Sequence, residues 1–283
     1  MLNGCAYILT VDVGNTFIRF GLFAEDSAAA QECPLATCEI TTPSSITADE
    51  ARMRLTQVMG ALSADAGMPG ALVPAAAVLS CVVPALERPW KAALSRTCTG
   101  RVLTVGPGLK TGMPVHYDDP AEIGPDRIAD AVAARVVYGS PCIVIDLGTT
   151  TNIEVIDARG TFVGGVIAPG LALGARSLSA AAARLPQVEP SAPTHVIGRN
   201  TREAMRSGVV LGEVARIDGM LDMVLAEMRA TKAAGEGDVP IVITGDDAEA
   251  LAALVGHSLT VDDALTLRGL AELYRINQKP RRA

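Results

Sequence analysis

The sequence predicts an α/β fold made of two similar lobes with a cleft between them. Three observations point there. Apolar, strand-like runs alternate along the chain with amphipathic segments of helix length. One plan, strand–Asp–turn–strand, occurs twice, half the chain apart. The chain has 283 residues, 49% of them hydrophobic, which is enough for two cores. Aromatic residues make up only 3%, so those cores must be built from Ala, Val, Leu and Ile.

"ILTVDVGNTFIRFGLF" at 8–23 reads as two apolar strands, 8–13 and 17–23, around a tight Gly-Asn turn. "AAAVLSCVV" at 75–83 is a continuous apolar run, the mark of a strand buried on both faces. "PALERPWKAALSRTC" comes next and places Leu86, Trp90 and Leu94 on one helical face. "RVLTVG" at 101–106 is the next strand. "LKTGMPVHYDDP" at 109–120, rich in Gly, Pro and Asp, marks the boundary between a lobe at 1–115 and a lobe at 116–283. "EIGPDRIADAVAARVVY" at 122–138 starts a helix at Pro125, a residue suited to the first helical position. Ile128, Val132 and Val136 then share its inward face. "CIVIDLG" at 142–148 opens the second copy of the repeat, and "TNIEVID" and "TFVGGVI" continue it as strands. "LSAAAARL" at 178–185 reads as a packed helix. "PIVITG" at 240–245 and "HSLTV" at 257–261 are late strands, and "ALTLRGLAELYRI" at 264–276 has helical spacing. The tail "KPRRA" is expected to fray.

Composition narrows the function. A net charge of −7 argues against a nucleic-acid footprint. The most apolar stretch, 71–86, is too short to span a bilayer and carries Pro74 and Pro84. No basic n-region precedes Arg19, so a soluble, cytoplasmic protein is expected. The six cysteines form no CxxC pair, and buried free thiols are expected. The scattered His116, His195 and His257 read as surface or strand-edge residues.

The repeated hairpin carries chemistry. Gly14, Asn15 and Thr16 offer backbone N–H groups and a hydroxyl to an anion at a turn. Asp12 beside them would repel that anion unless a cation lies between, as it does in a metal-bound nucleotide phosphate. A single copy reads equally as an ordinary hairpin; two copies in matching positions favour the ligand. The chain lacks GxxxxGK[ST], so it is not a P-loop protein.

The paired hairpins resemble the phosphate motifs of the acetate and sugar kinase, Hsp70 and actin superfamily. More narrowly, the chain resembles type III pantothenate kinases. The likeness runs through "DVGNT" at 12–16, "SCVVPAL" at 80–86, "GLKTG" at 108–112 and "YDDPAEIGPDRIADAVAA" at 117–134. It continues through "DLGTTT" at 146–151, "GGVIAPGL" at 164–171, "RLPQVE" at 184–189 and "IGRNTREAMRSGVVLG" at 197–212. The resemblance implies two RNase H-like lobes and ATP-dependent phosphorylation of pantothenate, the first step toward coenzyme A. It implies Asp126 as catalytic base and Tyr117, Gly124, Pro125 and Arg127 as substrate contacts. Thr201 would come from a partner subunit, which requires a homodimer with its interface in the second lobe. Asp12, Val13, Gly14, Asn15, Thr16 and Thr149 would hold ATP. Asp146 would bind a monovalent cation, K⁺ or NH₄⁺, and Mg²⁺ would accompany the nucleotide. The same motifs leave open another small-molecule kinase or phosphatase of the superfamily, or a non-catalytic regulatory homologue.

Local physics supports part of this. Asp126 falls in the first turn of its helix, where the dipole favours the ionised form and so a weak base. Arg127 could pair with a substrate carboxylate. Read by itself, the segment is also consistent with an ordinary helix start. Gly165 and Gly170 serve either close approach of a substrate or strand ends. Two departures from the family pattern stand out. Asn152 and Glu154 replace a Thr and an Asp. "TGDD" replaces Thr-Gly-Gly, so Asp246 and Asp247 either crowd the nucleotide or cap the next helix, with Asp246 as N-cap.

Overall fold

The computed structural model describes residues 6–25, 32–68, 70 and 72–278. Cys5 and the 279–283 tail lie outside the described residues. The chain forms β1 (Tyr7–Val13), β2 (Phe17–Ala24), β3 (Ala36–Thr41), α1 (Ala48–Asp65), β4 (Ala76–Cys81), α2 (Pro84–Thr97) and β5 (Val102–Thr104). After a 3₁₀ turn at Pro120–Glu122 come α3 (Pro125–Val137), β6 (Cys142–Leu147), β7 (Thr150–Ile156), β8 (Phe162–Pro169), α4 (Leu171–Ala181) and α5 (Thr201–Arg206). A π-helical turn at Ser207–Leu211 leads into α6 (Gly212–Ala230), then β9 (Ile241–Gly245), α7 (Ala248–Ala252), β10 (Thr260–Val261) and α8 (Leu265–Ile276).

The strands form two five-stranded sheets, ordered β3-β2-β1-β4-β5 and β8-β7-β6-β9-β10. In each, three antiparallel strands are followed by two that run parallel to the central one. The repeat read from two hairpins is therefore a repeat of whole sheets.

The chain groups into two compact units, 1–137 with 264–283, and 138–263. The sequence places the boundary at 115/116 and the last helix in the second lobe. The difference has a packing cause: α8 returns to the first unit and packs on α3, β1 and β4. At Gly269 a Cβ would lie 1.9 Å from the Ala129 carbonyl oxygen, so the two helix backbones touch. A glycine is required at that crossing.

In the first unit one sheet face is covered by α1 and α2, with Leu55, Leu62, Leu86 and Trp90 fully buried. Phe20 and Trp90 meet with ring centroids 5.7 Å apart and a 59° tilt. Phe23, on the other face, packs on Leu267 and Ala271 of α8. β1 is buried along its whole length because helices cover both its faces. Helix α1, not anticipated from the sequence, begins with a capping box: Thr47 accepts from the Glu50 amide and Glu50 accepts from the Thr47 amide. In the second unit Ile143, Ile145, Ile243, Ile217 and Leu221 form the core under α6. The expected helix at 178–185 is corrected: α4 ends at Ala181, and Leu178 is exposed. The late strand expected at 257–261 is reduced to Thr260–Val261.

Candidate active site

In the first unit, the β1–β2 turn is held from within and from β3. The Gly14 amide donates to the Phe17 carbonyl at 3.0 Å. Thr42 clasps the same turn: its hydroxyl donates to the Gly14 carbonyl at 2.8 Å and its amide to the Thr16 carbonyl at 2.9 Å. Asn15 and Thr16 stand exposed at the tip, and Val13 is buried beneath them. Asp12, one residue before the end of β1, is only 8% exposed. Its register neighbours are Arg19 on β2 and Ser80 on β4. Among the described residues its Oδ1 has no hydrogen-bond partner. Burial raises its pKa to about 6, and the negative charge of Asp126 adds to the rise; Ser80 and Arg19 draw it partly back.

Asp126 sits in the first turn of α3, half-buried. Its Oδ1 accepts the Arg127 amide at 2.8 Å. Gly124 leaves room for this carboxylate position, since a Cβ would lie 2.3 Å from that same oxygen and displace it. The expectation of a pKa lowered by the helix dipole is corrected. Burial raises it, and the backbone N–H bonds and the Arg127 charge only offset that rise. Desolvation outweighs the dipole because the dipole supplies a partial charge while burial removes water from a full one. Arg127 is itself buried, 5% exposed. Pro125 and Ile128, on either side of this pair, line a mainly apolar cavity of about 390 Å³. Cys81, Val105, Met113 and Ile123 also line it, with the 106–109 loop. Tyr117, half-buried, precedes the 3₁₀ turn whose Pro120 and Ala121 complete the wall.

The second unit carries the other motif. Asp146 stands one residue before the end of β6, beside Asn152 on β7 and Thr244 on β9. The register repeats the first sheet: each carboxylate faces a hydroxyl residue on its parallel neighbour, Ser80 or Thr244. Thr149 lies at the tip, half-buried. Gly170 packs against this turn, donating its amide to the Thr149 carbonyl at 3.0 Å. A Cβ there would lie 2.2 Å from the Gly148 carbonyl oxygen, so Gly170 serves the hairpin. Gly165 is exposed on β8.

Asn152 and Glu154 are buried within the sheet. At "TGDD", Gly245 takes φ 92°, and a Cβ would lie 2.1 Å from the Leu147 carbonyl oxygen. The Asp246 amide donates to that carbonyl at 2.6 Å. The N-cap of α7 is Asp247, not Asp246; it adopts φ 58° and makes no side-chain capping bond. Thr201, exposed, is the first residue of α5, capped by Asn200 accepting from the Glu203 amide at 3.0 Å.

Sequence reasoning missed Ser80, Thr244 and Thr42. Each is far from its carboxylate or turn along the chain, so no local spacing marks it. His116 and His195 are exposed and His257 pairs with Asp222 at 3.2 Å, as expected of peripheral histidines. The thiols are less uniform than expected: Cys142 is buried, Cys81 and Cys98 half-buried, and Cys33 exposed. Among the described residues no group of three or more His, Cys, Asp or Glu converges on one point. No described helix is long and apolar enough to cross a membrane.

A family model described as type III pantothenate kinase matches residues 8–223. The chain is 40% identical over 274 residues to "Type III pantothenate kinase 2" of Symbiobacterium thermophilum, covering 96% of this chain and 97% of the relative. It is 40% identical over 284 residues to the type III pantothenate kinase of Nocardia farcinica, covering 97% and 99%. Among solved structures, ethanolamine utilization protein EutJ of Carboxydothermus hydrogenoformans superposes with a TM-score of 0.53 at 16% identity, covering 94% of this chain and 89% of that one. The ROK hexokinase of Thermus thermophilus gives 0.50 at 13% identity, covering 96% and 100%. These two likenesses show the fold alone.

Proposed function

Because the chain belongs to the type III pantothenate kinase family, we propose that Asp126 is the base that receives the proton of the pantothenate hydroxyl. The protein phosphorylates pantothenate with ATP, the step that opens coenzyme A biosynthesis. Phosphoryl transfer passes through a loose transition state, so the protein mainly positions the reactants and spreads charge. The carrying observation is the half-buried carboxylate at the tip of α3, flanked by residues that wall the apolar cavity. A raised pKa improves Asp126 as a base over a solvated carboxylate. The cavity suits the branched apolar part of pantothenate, with Pro125 in its wall; contacts from Tyr117 and Gly124 to the substrate are part of the proposal. The burial of Arg127 makes it a fixed positive charge beside Asp126; a direct pairing with the substrate carboxylate is part of the proposal.

ATP is assigned to the first hairpin, Asp12, Val13, Gly14, Asn15 and Thr16, together with Thr149. Asp12 suits Mg²⁺: it is a hard oxygen donor, buried, with one oxygen to spare. Bound there, Mg²⁺ would neutralise charge on the transferring group. Asp146 offers carboxylate oxygens to K⁺ or NH₄⁺. Thr201 completes the neighbouring site in a homodimer. A cytoplasmic location agrees with the need for ATP.

The test is a coupled ATP-consumption assay with and without pantothenate. Wild type should turn over only with pantothenate, and Asp126→Asn should lose roughly 10²- to 10⁴-fold in kcat. Replacing K⁺ by Na⁺ checks the cation at Asp146. Turnover of Asp126→Asn at the wild-type rate would refute the assignment of the base.

A further inference from the structure

We infer that Asn277, just beyond α8, is a positioning residue that latches the 106–113 loop over the substrate cavity. The inference rests on reading that cavity as the pantothenate site. Loop residues Gly106, Pro107, Gly108, Leu109, Thr111 and Met113 form much of its wall. The loop has three glycines, and Gly108 and Gly112 take φ 87° and 67°. Such a segment has many conformations to lose. Internal bonds brace its two ends, the Leu109 amide to the Gly106 carbonyl at 3.1 Å and the Thr111 hydroxyl to the Met113 carbonyl at 2.8 Å, and leave Lys110 between them to be fixed from outside.

Asn277 supplies that restraint. Its side-chain amide pairs with both backbone groups of Lys110, as a neighbouring strand would. Nδ2 donates to the Lys110 carbonyl at 2.8 Å, and Oδ1 accepts the Lys110 amide at 3.2 Å. The same Nδ2 donates to the Leu273 carbonyl at 2.8 Å, which fixes the side chain to the last turn of α8. Arg101 holds the Asn277 carbonyl at 3.1 Å. Beside this latch, Arg135 donates to the Gly112 carbonyl at 2.6 Å, and Ile276 fills the space against Gly112. The matched family region stops at residue 223, so nothing in it assigns α8 or Asn277 a role.

The consequence is preorganisation. A loop already in its binding shape spares the substrate the ordering cost. Without the latch that cost falls on the binding step. It spares the chemical step, because Asp126 is held by its own helix.

Asn277→Ala should therefore raise the KM for pantothenate roughly ten-fold, the effect of losing two modest hydrogen bonds. The KM for ATP and kcat should stay unchanged. A purely structural role would instead lower thermal stability and the active fraction without moving KM. In the wild type, hydrogen exchange should show the Lys110 amide protected although the residue is exposed. Ala121→Trp, at the cavity wall, serves as the control for the site itself. An unchanged pantothenate KM in Asn277→Ala, with Ala121→Trp raising it, overturns the latch and leaves the site standing. An unchanged KM in Ala121→Trp removes both. If Asn277→Ala does not fold, free exchange at Lys110 in the wild type overturns the latch.

Discussion

Asp12 and Asp126 are two carboxylates whose environments push both pKa values upward, and each raises the question of when it is charged. Asp12 titrates near 6 against an ordinary value of 3.8. Its ionised form is therefore disfavoured in the folded state, and that destabilisation is fully present above about pH 6. It fades as pH falls from 6 through 3.8, below which the folded and unfolded forms are both protonated. Asp12→Asn, measured without nucleotide or metal, should raise stability at pH 7 by at most about 3 kcal/mol. The gain should shrink toward zero near pH 4 in chemical denaturation. In activity the sign reverses: kcat/KM for the wild type should fall as pH drops through about 6, where Asp12 takes up a proton and loses its hold on a cation; protonation of Asp126, whose pKa burial also raises, deepens the loss as pH falls further. Gly124→Ala probes geometry. A methyl 2.3 Å from Asp126 Oδ1 must displace the carboxylate. A shift near 1 Å is enough to lose on the order of 10² in kcat; steady-state kinetics on a folded variant decides this.

Among the elements, the hairpins were legible and their supports were not. The Asp-apolar-Gly pattern in two apolar runs exposes both turns to a reader of the sequence, because everything it needs lies within a few residues. Thr42, Ser80 and Thr244 reach the same places from other strands, and only the register brings them there. The dipole reading of Asp126 failed for a related reason. Helix position is local information, whereas burial depends on segments distant in sequence. Gly170 was ambiguous until its contact with Gly148 was visible. Gly170→Ala should distort the second turn and raise the KM for ATP while leaving pantothenate binding, followed by calorimetry, intact. Thr47→Ala offers a contrast. It removes the capping box of α1, which touches none of the proposed site residues, and should cost about 1 kcal/mol in stability with kinetics unchanged.

At the scale of the molecule, the twofold occurrence of one sheet order confirms the α/β class and the duplication. The boundary was harder to read. A glycine- and proline-rich segment signals a loop, but it does not say which sheet the next helix joins. Helices α3 and α8 belong with the first sheet, and only their mutual packing at Gly269 reveals it. The proposed role of Thr201 is also a whole-molecule question. Asp126→Ala and Thr201→Arg subunits, each inactive alone, should regain part of the activity when mixed, since a mixed pair contains one intact site. Mixing without recovery would place Thr201 outside the neighbour's site.

The return of α8 to the first unit sets an order of birth. During translation the second unit emerges whole, as one continuous stretch, before the helix that completes the first has been made. The lobe begun earliest is thus completed after the second, and until then Phe23 lacks the Leu267 and Ala271 side chains that cover it. A nascent chain of this kind offers uncovered apolar side chains to chaperones, and the carboxylate on α3 gains its supporting helix only after the second unit has been made.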